Sequence, residues 1–197
     1  MRSTGAVRVM TVGVVAAALG WSGAATAGAT PPAGGGVTVT NDDYALAALP
    51  SAEVPGMTVF LDVFAPEDRA PFADLEVFVA GYECVTGEED NIPATVRTLT
   101  FASTAGTLPL ACSSPTGPDV SGTAVVEGVV WDGEGPLRFE VIPPGPGVRC
   151  LLSVIAREAA VTGTVQVTIP ELRIDAEATG ERGELRHVTG ICPPARG

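Results

Sequence analysis

The sequence predicts an all-β domain of about nine short strands, folded as an antiparallel sandwich (immunoglobulin-like or jelly-roll-like) or as a barrel. Three observations lead to this fold class. Apolar and polar residues alternate with a period of two, clusters of Gly and Pro separate the alternating runs, and the four cysteines are an even number. The 24 glycines and 17 prolines supply turns along the whole chain, as many short strands require.

The clearest strand is the run at 161–169, where Val161, Gly163, Val165, Val167 and Ile169 alternate with polar residues. Residues 172–178 alternate in the same way, and Pro170 lies between the two runs, where it turns or bends the chain. The remaining short segments, rich in β-branched residues, are 57–64, 75–82, 95–102, 122–131, 137–142, 148–155 and 184–191. Residues 42–49 fit a helix and a strand about equally well.

Residues 1–27 are predicted to be a secretory signal peptide. Arg2 and Arg8 make its start positive, 9–20 form a short apolar run, and 25–27 (Ala-Thr-Ala) have the pattern of a cleavage site. Because the apolar run is shorter than the roughly 20 residues of a spanning helix, we expect cleavage after about Ala27 and no membrane span in the mature protein. The protein would then be secreted, with a Gly/Pro-rich linker at 28–36 and a single β domain at 37–197.

The charge of the chain excludes several functions. All 11 basic residues are Arg, so lysine chemistry such as a Schiff base or a P-loop is excluded. The net charge is -12, and removal of Arg2 and Arg8 with the signal peptide would make it more negative. Such a protein is a poor partner for nucleic acid, and we expect an extracellular protein or an envelope component instead.

The four cysteines, Cys84, Cys112, Cys150 and Cys192, predict two disulfides in an exported chain. Zinc sites use close pairs such as C-x-x-C, which this sequence lacks, and we expect no metal and no cofactor. Three connectivities are possible. We favour Cys84 with Cys112 and Cys150 with Cys192, because each bridge then closes a local stretch of neighbouring strands.

The sequence offers little catalytic chemistry. His187 is the only histidine, it lies in a strand-like segment, and a nucleophilic triad would have to be built on it. The chain has no G-x-S-x-G elbow, and its paired carboxylates are adjacent in sequence, whereas those of glycosidases meet across a cleft lined by aromatic residues. We therefore expect no catalytic residues and no enzyme activity.

Two acidic segments are candidates for calcium: Asn41-Asp42-Asp43 and Glu88-Glu89-Asp90-Asn91. Neither matches the spacing of a calcium loop, so we expect solvated turns that bind no metal. Trp131, at the end of an apolar strand, is expected in the core or capping a hairpin. A protease inhibitor would need a rigid exposed loop, for which 113–118 and 143–147 are the candidates.

Two stretches, 131–135 (Trp-Asp-Gly-Glu-Gly) and 156–165, resemble secreted β-sandwich proteins of high-GC Gram-positive bacteria. The lysine-free composition, rich in Ala, Gly and Arg, is similar to that of the same group. The resemblance covers about the last third of the chain. It implies an origin and a fold, and it transfers no functional residue, because those proteins have no assigned activity.

These observations predict a non-catalytic binding or structural module that acts outside the cell or at the envelope and whose ligand is unknown. Three alternatives stay open: a calcium-stapled adhesion-type module, a secreted protease inhibitor and an enzyme of unrecognised type. The residues alone do not separate these functions, since one fold supports many of them.

Overall fold

Eleven antiparallel strands form one sheet in the computed structural model, which describes residues 37–87, 89–145 and 149–193. The strands are β1 (Thr38–Pro50), β2 (Thr58–Pro66), β3 (Phe72–Val79), β4 (Tyr82–Val85), β5 (Ile92–Arg97), β6 (Phe101–Ser113), β7 (Val120–Gly133), β8 (Arg138–Ile142), β9 (Leu151–Ile169), β10 (Ile174–Thr179) and β11 (Arg182–Cys192). One turn of 3-10 helix, Pro170–Leu172, joins β9 to β10, so Pro170 turns the chain as predicted.

The sheet closes on itself. The pairing runs from β1 through β2, β3, β4, β6, β7, β9 and β11 and returns to β1. The other strands are additions to this ring: β5 lies beside β4 and pairs with β3 and β6, whereas β8 and β10 pair with opposite ends of β9. Because the ring is closed, most strand edges are paired within the chain, and few are left to pair with a strand of another chain.

Alternate residues of the ring strands fill the interior of the ring. In β2 the buried side chains are Val59, Leu61 and Val63. The same alternation buries Ala45, Ala47 and Leu49 in β1 and Ala73, Leu75, Val77 and Val79 in β3. Trp131 is fully buried, and its indole Nε1 donates a hydrogen bond of 3.1 Å to the carbonyl oxygen of Leu46. Trp131 is therefore a core residue, in agreement with the prediction.

The all-β prediction is confirmed, although the strands number eleven and several boundaries differ. The segment 42–49 is strand, because its odd positions face the core. Predicted segment 95–102 contains a turn, with Leu99 at a φ of 53°, that separates β5 from β6. Residues 151–155 of the predicted segment 148–155 and the predicted segment 161–169 belong to one strand, β9, which is long enough to pair with four neighbours.

Both disulfides have the predicted connectivity. Cys84 and Cys112 lie directly opposite each other in β4 and β6 and are buried. Cys150 and Cys192 join the start of β9 to the end of β11. Each bridge thus fastens two neighbouring strands and closes a local stretch of chain.

One end of the sheet projects past the closed ring and is called here the overhang. It consists of β8 with residues 151–157, 187–192 and 38–43 of β9, β11 and β1, in the order β8, β9, β11, β1. Its inner face is the one that continues the core-facing side of the ring. The Cys150–Cys192 disulfide lies at its tip.

A bulge interrupts the pairing of β7 with β9 between Glu127 and Val130. Gly128 and Gly163 adopt positive φ angles of 61° and 97° there. A Cβ on Gly163 would lie 2.6 Å from the carbonyl oxygen of Gly128, so this close approach of two backbones needs glycine.

The predicted signal peptide and linker, residues 1–36, lie outside the described residues and stay predictions. The described residues all belong to the unit Gly35–Gly197. In this described part, no helix has the length and hydrophobicity to cross a membrane.

Candidate functional site

Aromatic side chains form a row on the outer face of the sheet, the side of β1, β2 and β3 that points away from the core. Tyr44, Phe64 and Phe72 lie at directly opposed positions of the three strands. The rings of Tyr44 and Phe64 meet edge to face with centroids 5.5 Å apart, and those of Phe64 and Phe72 stack at the same distance. This geometry fixes the rings against one another and leaves them partly exposed.

Carboxylates form the next row of the outer face. Asp62 of β2 lies directly opposite Asp74 of β3, and Glu76 follows Asp74 on the same side of β3. Burial, followed by the Asp74 and Glu76 carboxylates, raises the pKa of Asp62 to about 6, and the Arg186 guanidinium opposes the rise. The outer face therefore holds carboxylates whose negative charges repel each other across adjacent strands.

The pKa values of the neighbouring carboxylates move in the same direction. Burial raises the pKa of Asp74, and burial together with the Glu83 carboxylate raises that of Glu76. Glu83 of β4 lies opposite Phe78 of β3, so the acidic surface continues onto β4. A positive charge placed on this surface would relieve the repulsion.

A second aromatic pair borders the carboxylates on their other side. Phe60 and Phe78 meet edge to face with centroids 5.8 Å apart, and their side chains are 40% and 38% exposed. Beyond Phe78 and Glu83, a shallow cleft is lined by the turn at 80–81 and by residues 113–115. The acidic row thus has aromatic rings on both sides and an open cleft at one end.

Within the chain, Arg69 shows how a cation meets this surface. Its guanidinium carbon lies over the Phe72 ring, 4.1 Å from the centroid. An aromatic face attracts a cation through its quadrupole, and a neighbouring carboxylate adds a full negative charge. The outer face combines both features and can therefore bind guanidinium or ammonium groups.

His187 lies on the inner face of the overhang, half-buried, and is held by polar neighbours. Its Nδ1 lies 2.9 Å from Asp43 Oδ1, and the Thr98 hydroxyl donates a hydrogen bond of 2.7 Å to Asp43 Oδ2. The Thr189 hydroxyl donates to Asn41 Oδ1 at 3.1 Å and is 3.4 Å from His187 Nε2.

The order Thr189, His187, Asp43 is that of a nucleophile, a base and an orienting acid. However, β11 pairs with β1 on one side and β9 on the other at these positions, so its backbone N–H groups do not point at a substrate oxyanion. The Thr189 hydroxyl donates a hydrogen bond to Asn41 Oδ1 and lies farther, 3.4 Å, from His187 Nε2. The network therefore fixes β1 against β11.

The structure places the two acidic segments in different settings. Asp42 and Asp43 were expected in a turn, but they are consecutive residues of β1 and point to opposite faces, so they cannot bind one ion together. Glu89 and Asp90 are exposed in a turn, and Glu88 lies outside the described residues. Among the described side chains, no group of three or more His, Cys, Asp or Glu residues converges to hold a metal ion.

The candidate inhibitor loops differ in how far the structure describes them. The loop at 113–118 is anchored at Cys112 and borders the cleft at the outer face. In the loop at 143–147, residues 143–145 are exposed and 146–147 lie outside the described residues. The described residues of the two loops make no contact that points to protease inhibition.

The aromatic face was missed because the segments 57–64 and 75–82 carry large apolar residues on both sides, with Asp62 and Glu76 as their only charged residues. In β2 the phenylalanines share their side of the strand with Asp62, and in β3 Phe78 shares its side with Glu76. The signal was therefore present in the sequence: the carboxylates mark the exposed side, and the phenylalanines in phase with them belong to the surface.

The chain matches no protein-family model, no curated protein and no solved structure. The resemblance of 131–135 and 156–165 to secreted β-sandwich proteins stays a prediction.

Proposed function

We propose that this protein is an exported, non-catalytic binding module whose outer face binds a cationic segment of an extracellular protein or envelope component. The observation that carries the proposal is the alternation of aromatic and acidic rows on β1, β2 and β3. Aromatic rings accept the flat faces of guanidinium groups, and the carboxylates between them supply the charge.

The carboxylates favour a ligand with several positive charges. Asp62, Asp74 and Glu76 crowd negative charge on adjacent strands, which carries an energetic cost: after burial, the largest cause, the Asp74 and Glu76 carboxylates raise the pKa of Asp62. A bound cation offsets this cost, whereas an anion would add to it. Basic side chains spaced along an extended peptide would match successive rows better than a single metal ion would.

Two disulfides support export, because such bridges persist in oxidising compartments. The signal peptide predicted at 1–27 agrees with this location. The non-catalytic part of the proposal is supported by the position of His187, whose contacts with Asp43 and Thr189 lie where the backbone of β11 is paired with β1 and β9.

A calorimetric titration with a hexa-arginine peptide tests the proposal. We expect the variant with Asp62→Asn, Asp74→Asn and Glu76→Gln to bind about tenfold more weakly or worse. The matched control removes three exposed charges elsewhere, Asp119→Asn, Asp132→Asn and Glu134→Gln, and should bind within about threefold of the unchanged protein.

A second variant separates the aromatic contribution from the charge. Replacing Phe60 and Phe78 by Ala leaves the net charge unchanged and should still weaken binding by about 1 kcal/mol or more. Equal losses in the site variant and the matched control would show that only the total charge of the protein matters. That result, or the absence of binding to the unchanged protein, would overturn the proposed function.

A further inference from the structure

β8 has a free edge. It pairs with β9 on one side, and no described strand lies on its other side. A free edge presents alternate backbone N–H and C=O groups that can pair with another strand. Pro136 precedes β8 and Pro143 follows it, so the pairing surface is confined to residues 137–142.

This edge also carries exposed apolar side chains. Phe139 is 72% exposed, Val141 is 64% exposed, and Leu137 just before the strand is exposed as well. Phe139 and Val141 lie on the inner face of the overhang, where Leu151, Ile191 and Val39 continue the apolar surface at its tip. Clusters of exposed apolar side chains of this kind mark interaction sites.

The residues of β8 are complementary to a second copy of β8 running in the opposite direction. If Phe139 faces Phe139 of the second copy, Arg138 faces Glu140 twice, and Leu137 faces Val141 twice. Every directly opposed pair in this register is either apolar with apolar or positive with negative.

Other registers lose this complementarity. A shift that centres the pairing on Glu140 sets two glutamates against each other, and one that centres it on Arg138 sets two arginines against each other. If one strand shifts by a single residue along the other, polar residues lie opposite apolar ones. Charge complementarity therefore selects a single register and a two-fold axis at Phe139.

We propose that two copies of this protein associate through their β8 edges, with Phe139 on the two-fold axis. The two overhangs then form one continuous sheet of eight strands, and the apolar inner faces join at the axis. The contact is short and both copies are strongly acidic, so the association is weak. It leaves the outer faces of β2 and β3 free and is independent of the proposed binding function.

Sedimentation experiments on the purified protein from about 10 µM to about 1 mM test the proposal. We expect dimers that dissociate on dilution. In the Glu140→Arg variant each new arginine faces Arg138 of the other copy, and in the Arg138→Glu variant each new glutamate faces Glu140 of the other copy. Each variant alone should raise the dissociation constant at least about tenfold.

A mixture of the two variants provides the decisive result. One chain then carries Arg at both positions and the other carries Glu at both, so a mixed dimer regains both charge pairs. We expect the equimolar mixture to associate as well as the unchanged protein or better. Glu171→Arg, with the same charge change as Glu140→Arg but at the far end of β9, is the matched control and should leave dimerisation unchanged.

Oxidative cross-linking tests the register itself. Phe139→Cys places two cysteines opposite each other at a distance that a disulfide can bridge, whereas Val141→Cys places them about four residues apart along the strands. Peptide mapping should show a bridge between copies for Phe139→Cys and none for Val141→Cys.

Because Arg138 also binds Glu184 and Glu158 in its own chain, circular dichroism must first show that each variant keeps its fold. A monomer at every concentration would overturn the proposal. So would dimers that persist in both charge variants, or a mixture that fails to associate.

Discussion

Asp62 and Asp74 lie directly opposite each other on β2 and β3, on the outer face of the sheet. Like charges at opposed positions destabilise a sheet, and partial burial increases the cost because less water screens them. The side chains on the core-facing side of the same two strands are apolar. The electrostatic cost is therefore confined to the outer face.

The stability of the protein should therefore fall as the pH rises from about 4 to above 6. The pKa of Asp62 is raised from 3.8 to about 6, so the folded state holds this proton more tightly than the unfolded state does. Between pH 3.8 and about 6 the unfolded state loses this proton and the folded state keeps it, so the free energy of unfolding falls as the pH rises. The stability gained from the proton is fully lost once the folded carboxyl ionises. Replacing Asp62 by Asn should stabilise the protein at about pH 8 by up to about 3 kcal/mol, and much less at about pH 4.

Urea denaturation at the two pH values measures this difference. Asp119→Asn is the control, because Asp119 is exposed in the connection between β6 and β7. An Asp62→Asn variant that is equally stabilised at both pH values would show that ionisation of Asp62 is not the cause.

Replacing Trp131 by Phe should cost about 1–3 kcal/mol of unfolding free energy. The change keeps most of the apolar volume in the core but removes the Nε1 donor that binds the carbonyl oxygen of Leu46. Thermal unfolding by circular dichroism measures the loss. Phe139→Leu, at an exposed position, should change stability by no more than about 0.5 kcal/mol, and an equal effect of the two substitutions would contradict this account.

Gly163→Ala should destabilise the protein by at least about 1–3 kcal/mol. The new Cβ would be placed at a φ of 97° and 2.6 Å from the carbonyl oxygen of Gly128, so the bulge between β7 and β9 would have to open. Gly145→Ala is the control, because a Cβ there meets nothing within 4 Å. If both variants had the same melting temperature, the bulge would not require glycine.

Removing the disulfides one at a time should give unequal losses. Chain entropy alone assigns about 3.5 to 4 kcal/mol to each bridge, for loops of 28 and 42 residues. Replacing Cys84 and Cys112 by Ala also leaves a gap in the core, whereas Cys150 and Cys192 lie half-buried at the tip of the overhang. We expect the variant without Cys84 and Cys112 to have the lower denaturation midpoint. A lower midpoint for the variant without Cys150 and Cys192 would show that the tip of the overhang contributes more to stability than the core bridge does.

The fold class and the disulfides could be predicted from the sequence because they depend on local patterns. Val161, Val165, Val167 and Ile169 alternate with polar residues, and all four are buried. The order of the strands could not be predicted, because it depends on pairings between distant segments such as β1 with β11. Alternation tells which side of a strand is buried but not which strand lies beside it.

The outer face was harder to predict than the core. Phe60 and Phe64 belong to a segment with apolar residues on both sides, so hydrophobicity alone does not distinguish the buried side from the exposed one. The pairing that places Asp62 against Asp74 and Tyr44 beside Phe64 is set by the closed sheet as a whole.

The antiparallel pairing of β1 with β11 has a mechanical consequence. Thr38 lies opposite Cys192, so both ends of the folded part leave the sheet side by side at the tip of the overhang. A pulling force applied at these two ends acts across the strands, and it separates β1 from β11 one hydrogen bond at a time. Strands loaded along their length break many bonds together and resist far more force. A load applied through these two ends therefore opens the β1–β11 pairing from the tip of the overhang inward.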